Sequence, residues 1–244
     1  MENHRSFHEN PTQEIKEMLG YLPIVLGIYE FGKDDKHLNP YTKSEKLQKN
    51  ITGVLVMKYM LKGFVQPNYI DIKLGFRPSN RPKYAKNPKK YDKVAFGTTL
   101  AEHGFLLLGY GVKHQETGDI ITKGFKDFRL ENGEKDFSKA LTFEQSQERL
   151  EQFVYDFKNE KVNEEACQYF ISRIQEILGH FEERNTIGYR TLSFFAANDK
   201  ENNYMTNLVD LAYVYPDGSE DKEKEGIIVG LKNLKKIFES ALSK

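Results

Sequence analysis

Nine residues, Pro67-Asn68-Tyr69-Ile70-Asp71-Ile72-Lys73-Leu74-Gly75, constrain the fold more than any other stretch. Tyr69, Ile70, Ile72 and Leu74 favour extended backbone, and Gly75 ends the run. Side chains alternate along a strand, so Ile70, Ile72 and Leu74 share one face and Tyr69, Asp71 and Lys73 the other. The first face is apolar and reads as core. The second sets a carboxylate beside an ammonium on a rigid element. Such a pair suits phosphate chemistry: the acid takes a hydroxyl proton or helps hold a metal, and the lysine neutralises a transferring phosphoryl group. An ordinary surface ion pair has the same pattern and is worth only ~0–1 kcal/mol.

The segment after this strand favours the chemical reading. It carries Arg77, Arg81, Lys83, Lys86, Lys89, Lys90 and Lys93 against one acid, Asp92. Pro78, Pro82 and Pro88 prevent a long regular helix there. A proline-interrupted basic loop beside an Asp/Lys strand is a receptor for a polyanion, with lysine acting as a point charge and arginine as a fork. Only Tyr84 and Tyr91 interleave the basic residues, so base stacking is thinly supported. The whole chain carries 36 basic and 36 acidic residues, a formal net charge of +0. Any anion site is therefore local, and nucleic acid is not expected as a partner.

The order of further segments carries a resemblance. Pro67-x-x-x-Asp71-x-Lys73-x-Gly75 resembles the Pro-x-x-x-Asp-x-Lys-x-Gly signature of the inositol polyphosphate kinases, the family of inositol hexakisphosphate kinases and inositol polyphosphate multikinases. Thr98-Thr99 followed by Gly104 to Tyr110 is similar to its Thr-Thr segment and Leu-Gly-Phe-Arg-x-x-Gly-Met strand. Thr191 to Phe195 resembles the Ser-Leu-Leu strand, Asp210-Leu211-Ala212-Tyr213 the Asp-Phe-Ala-His segment, and Gly230-Leu231-Lys232-Asn233-Leu234 the closing helix. The likeness runs from about residue 12 to the end.

That resemblance implies an α+β, two-lobed, protein-kinase-like fold. It implies a reduced amino-terminal lobe and hinge at 1–60, and a carboxy-terminal lobe at 61–244 with an inositol-phosphate-binding basic loop at 76–95. The implied activity is ATP-dependent phosphorylation of an inositol polyphosphate, with Mg2+. Asp71 and Lys73 take the catalytic places, and Asp210 is the metal and nucleotide ligand. Backbone at Lys58 to Met60 holds adenine, and Arg77, Lys83, Lys86, Lys89 and Lys90 hold substrate phosphates.

Departures from the family pattern are visible too. Lys58 and Tyr59 stand at the hinge where the family has acidic or amide residues, and Tyr213 replaces a histidine. No Ile-x-Lys strand precedes the first expected helix, around Ile15, Met18 and Leu19. These departures motivate the alternative of an impaired pseudokinase that binds an inositol phosphate or a protein partner.

The remaining chain reads as strands at 21–31, 51–59, 106–112, 191–197 and 205–214, with a hairpin and loop over 113–140. Leu150, Phe153, Val154 and Phe157 stripe a helix beginning near Thr142 or Phe143. Phe170, Ile174, Ile177, Leu178 and Phe181 stripe a second, capped by Asn163. Pro216 to Glu225 reads as an acidic loop ahead of a last helix from Ile227, with Leu231, Leu234, Ile237, Phe238 and Leu242 buried. Cys167 is the one cysteine, which excludes an intramolecular disulfide and suits a reducing compartment, cytoplasm or nucleus. No apolar run approaches the ~20 residues of a membrane span, and a monomer is expected. Neither a P-loop nor a His-Glu-x-x-His motif occurs.

Overall fold

The computed structural model describes residues 25–30, 53–57, 59–76, 98–113, 119–123, 140–156, 158–183, 188–189, 192–209, 214–215 and 221–244. The chain forms two compact units, Met1–Lys62 and Gly63–Lys244. In the first, β1 (Val25–Glu30) pairs antiparallel with β2 (Gly53–Met57), with an irregularity between Val25 and Gly27. Both strands fall within the expected ranges. The helix expected around Ile15 to Leu19 lies outside the described residues.

The second unit is built on an antiparallel sheet of five strands in the order β10-β9-β3-β4-β5. These are β3 (Asn68–Leu74), β4 (Phe105–Lys113), β5 (Ile120–Lys123), β9 (Leu192–Asn198) and β10 (Tyr204–Val209). The Pro67–Gly75 stretch supplies the central strand. Its alternation is the expected one: Ile70, Ile72 and Leu74 are fully buried, whereas Tyr69, Asp71 and Lys73 are half-buried. Three helices pack on the buried face: α2 (Phe143–Phe153), α3 (Glu164–Glu183) and α4 (Asp221–Leu242). Phe153, Phe170 and Phe238, one from each, join them, with ring centroids 5.0 to 6.5 Å apart. Every residue of the expected stripe on α3 is buried, and so are Leu231, Leu234, Ile237 and Phe238 on α4. Leu242 is only half-buried, and Ala241 takes its place in the core.

Caps explain where the helices begin. Thr142 and Gln145 form a reciprocal capping box at the start of α2. Asn163 accepts from the Ala166 N–H at 3.0 Å, as its position ahead of two glutamates suggested for α3. A short helix α1 (Thr99–His103) was not expected. Its signals were present in Thr98, whose hydroxyl accepts from the Leu100 N–H, and in Gly104, which is left-handed at φ 69°. The last helix begins six residues earlier than expected, so Asp221 to Glu225 are helical rather than loop. An acidic first turn complements the helix dipole, and such charges therefore mark a helix start as readily as a loop. The strand expected over 205–214 is described as β10, ending at Val209, and a two-residue β11 (Val214–Tyr215) that pairs with β8 (Gly188–Tyr189).

Helix α4 reaches β3 through glycine. A Cβ on Gly226 would stand 2.3 Å from the Phe76 nitrogen, and one on Gly230 would stand 2.2 Å from the Gly104 carbonyl oxygen. The Gly75 N–H donates to that same Gly104 oxygen at 2.9 Å. The closing helix thus clamps backbone to backbone on the turn that follows Lys73.

Candidate active site

Side chains that share the outer face of the sheet can be read from the ladder. Asp71 is opposed by Gly109 on β4 and Phe195 on β9, and Phe195 by Asn207 on β10. One step along, Lys73 is opposed by Leu106 and Ser193, and Ser193 by Val209. Asp71, Lys73, Phe195, Asn207 and Val209 are all half-buried, in contrast to the sealed opposite face. The result is a partly open floor across β3, β9 and β10, interrupted by the buried Ser193, with a carboxylate and an ammonium on its β3 side.

Local irregularity shapes this floor. The β3–β4 register shifts between Asp71 and Ile72, leaving Leu108 as an extra residue beside Asp71. Bulges re-aim neighbouring side chains and are common next to active sites. Leu108 joins Leu100 and Leu106 in a small apolar cluster, with Ala140 packed against it. Tyr69 flanks Asp71 on the other side. Its ring lies nearly parallel to that of Phe195, with centroids 6.3 Å apart, in space left by Gly111, where a Cβ would stand 2.5 Å from the ring.

Asp71 and Lys73 are therefore brought together as expected, about 7 Å apart along the backbone. Neither residue is without an interaction partner. The Asp71 Oδ1 is shut off from water. Asp210 lies outside the described residues, but its covalent neighbour Val209 does not. Lys58, Arg77, Lys83, Lys86, Lys89 and Lys90 also lie outside the described residues. Met60 belongs to the first unit, half-buried in a turn closed by a 3.1 Å bond from the Lys62 N–H to the Tyr59 carbonyl.

Among the described residues no three His, Cys, Asp or Glu side chains cluster as a preformed metal cage. Tyr69 stands on the face expected for it, whereas sequence reasoning missed Phe195 and Asn207 as floor residues. Period-two alternation places Tyr69 beside Asp71, while bringing Phe195 and Asn207 into the row needs the strand order.

A profile of the inositol polyphosphate kinase family matches residues 54–239. The chain belongs to that family. It is a kinase, a phosphotransferase acting on inositol phosphates. Among solved structures, this kinase is similar to an inositol phosphate multikinase studied for protein engineering, at 18% identity and a TM-score of 0.67 over 98% of both chains. It is similar also to the inositol phosphate multikinase of S. cerevisiae solved with ADP and Mn2+, at 16% identity and a TM-score of 0.62. That alignment covers 92% of this kinase and 90% of the yeast chain. The two-lobed, protein-kinase-like α+β fold is therefore the fold of this kinase. No curated protein sequence matches it. No described helix is long and apolar enough to cross a membrane.

Proposed function

We propose that the protein transfers the γ-phosphoryl group of ATP to an inositol polyphosphate over the Asp71–Lys73 floor. The observation that carries this reading is the placement of Asp71 and Lys73 on the half-buried face of the central strand, beside the Leu108 bulge. The Lys73 ammonium neutralises charge on the equatorial oxygens of the transferring group. For a hydroxyl acceptor, Asp71 takes the hydroxyl proton as the new oxygen–phosphorus bond forms. The β,γ-anhydride bond breaks and ADP leaves with its electron pair. For a phosphate acceptor no proton need move, and Asp71 acts by orienting the substrate.

Arg77, Lys83, Lys86, Lys89 and Lys90 follow directly on the floor strand and supply charge for the remaining substrate phosphates. Backbone at Lys58 and Met60 holds the adenine. Asp210, one residue beyond Val209, would hold Mg2+, which supplies charge neutralisation at the nucleotide phosphates. The yeast relative's complex with ADP and Mn2+ supports a nucleotide and a divalent ion as the co-substrate and cofactor. The binding-only pseudokinase alternative draws no support from the comparisons.

The test is transfer of label from γ-labelled ATP to inositol phosphates by the purified chain. Wild type is expected to turn over. Asp71→Asn and Lys73→Ala are expected to fall by about 100-fold or more, the usual loss when a general base or charge-neutralising group is removed. A wild-type protein as inert as Asp210→Ala, or an Asp71→Asn variant as active as wild type, overturns the reading.

A further inference from the structure

The chain passes from the first unit to the second at Lys62 and Gly63, and the bonds on the two sides of that point differ. Before it, the turn from Tyr59 to Lys62 is closed by its own 3.1 Å bond. After it, the Val65 N–H donates at 2.8 Å to the carboxylate of Asp199, 134 residues away in the β9–β10 turn. Gly63 and Phe64 stand between the two. Gly63 is exposed at φ 95°, and a Cβ there would meet nothing within 4 Å. The joint thus combines a glycine free of packing with a long-range anchor just beyond it.

The two oxygens of Asp199 have different tasks. Oδ1 accepts from the N–H groups of Glu201 and Asn203 and closes the β9–β10 turn. Oδ2 is the oxygen that accepts from Val65. The Asn203 side chain donates to both. Asp199 is 5% exposed, so water competes little for these bonds. Asp156, in the turn joining β6 (Tyr155–Asp156) to β7 (Lys161–Val162), shows what a turn by itself requires. It accepts from the Lys158 and Asn159 N–H groups and from the Asn159 side chain, all close in sequence. The reach of Asp199 to Val65 is additional to any such local need. Gln66, next in the chain, is left-handed at φ 51°. A glutamine takes that conformation where its surroundings impose it. Here Val65 is held on one side, and Pro67 leads into β3 on the other.

We propose that Asp199 is a positioning residue for the kinase reaction: through the Val65 N–H it fixes the chain where the first unit joins the second and leaves Gly63 as the pivot. The nucleotide part of this inference rests on the reading that backbone at Met60, just before the joint, holds adenine. With Val65 released, that backbone would be in place for a smaller fraction of the time, and apparent nucleotide affinity falls by that fraction.

Asp199→Asn separates the two tasks. An amide has one acceptor oxygen; the two turn N–H groups keep it, and the NH2 is left facing the Val65 N–H. Asn203→Ala removes the side-chain donor to the same carboxylate and leaves Val65 bound. A lysine-specific protease cuts after the exposed Lys62, and mass spectrometry follows that cut relative to the one after Lys235, which lies inside α4 and needs unfolding. The ratio is expected to rise about tenfold in Asp199→Asn and to stay at the wild-type value in Asn203→Ala. The KM for ATP is expected to rise about fivefold or more in Asp199→Asn, with kcat and the KM for the inositol phosphate unchanged. A wild-type cleavage ratio in Asp199→Asn overturns the anchor, and a raised ratio with an unchanged KM for ATP overturns the positioning role. A wild-type chain that transfers no phosphate overturns the proposed function instead, while the cleavage ratio still decides the anchor. Should Asp199→Asn fail to fold, hydrogen exchange in the wild type takes its place. The Val65 amide is expected to exchange about tenfold or more slowly than that of Gly63, and equal protection overturns the proposal.

Discussion

Gly179 and Gly230 both sit inside long helices, and the structure assigns alanine opposite effects at the two sites. In isolation glycine to alanine favours a helix by about 1 kcal/mol. At Gly179, on α3, nothing lies within 4 Å of the new methyl group, so that gain should be realised. At Gly230, on α4, the methyl carbon would stand 2.2 Å from the Gly104 oxygen, 2.8 Å from its carbonyl carbon and 3.1 Å from a Leu74 methyl. Two of those atoms are backbone, and the Gly104 oxygen is tied to the Gly75 N–H. Relief therefore requires the whole helix to withdraw by more than 1 Å, given ordinary contacts of about 3.5–4.0 Å. Overpacking of this kind costs about 3 kcal/mol, and subtracting the helical gain of about 1 leaves a net loss of about 2 kcal/mol. For a chain of this size, that lowers Tm by about 4–8 °C, whereas Gly179→Ala should raise it by about 2–4 °C. Thermal unfolding followed by circular dichroism measures both. A Gly230→Ala protein as stable as Gly179→Ala would refute the backbone-contact argument and the placement of α4 against the end of β3.

Other expectations concern buried groups. Burial pushes the Asp199 carboxyl up, but hydrogen bonds from the Asn203 side chain and from the Val65, Asn203 and Glu201 N–H groups more than offset this and hold it below the ordinary carboxylate range. A lowered folded value means the group stabilises above its unfolded pKa of about 3.9, and the contribution is lost as pH falls through the lower folded value. Asp199→Asn should cost about 1–3 kcal/mol at neutral pH by leaving donors mismatched, with the gap to wild type closing below about pH 4 in denaturant titrations. An undiminished gap in acid would refute the assignment. Burial also pushes the Cys167 thiol up to about 12, and the residue is 0% exposed. An aromatic disulfide reagent should therefore leave the native protein unlabelled and take one thiol per chain after unfolding. Rapid labelling of the native state would show that α3 does not seal that site.

The central strand was legible because its information is local. Period-two alternation separated Ile70, Ile72 and Leu74 from Asp71 and Lys73 without any knowledge of the neighbours, and the helical stripes of α3 and α4 followed from spacing in the same way. Caps were equally local, and the unforeseen α1 was written in Thr98 and Gly104.

Strand order is a different kind of fact, since the chain carries no local mark that places β9 beside β3 or gives Asp71 the neighbours Gly109 and Phe195. Those pairings depend on which apolar faces bury together, a long-range choice made by packing. The Leu108 bulge, the glycine contacts of α4 and the bond from the Val65 N–H to Asp199 are likewise products of tertiary packing. Sequence alone set Asp71 and Lys73 on one face of their strand, because alternation is local; the packed sheet decided which residues of other strands stand beside them.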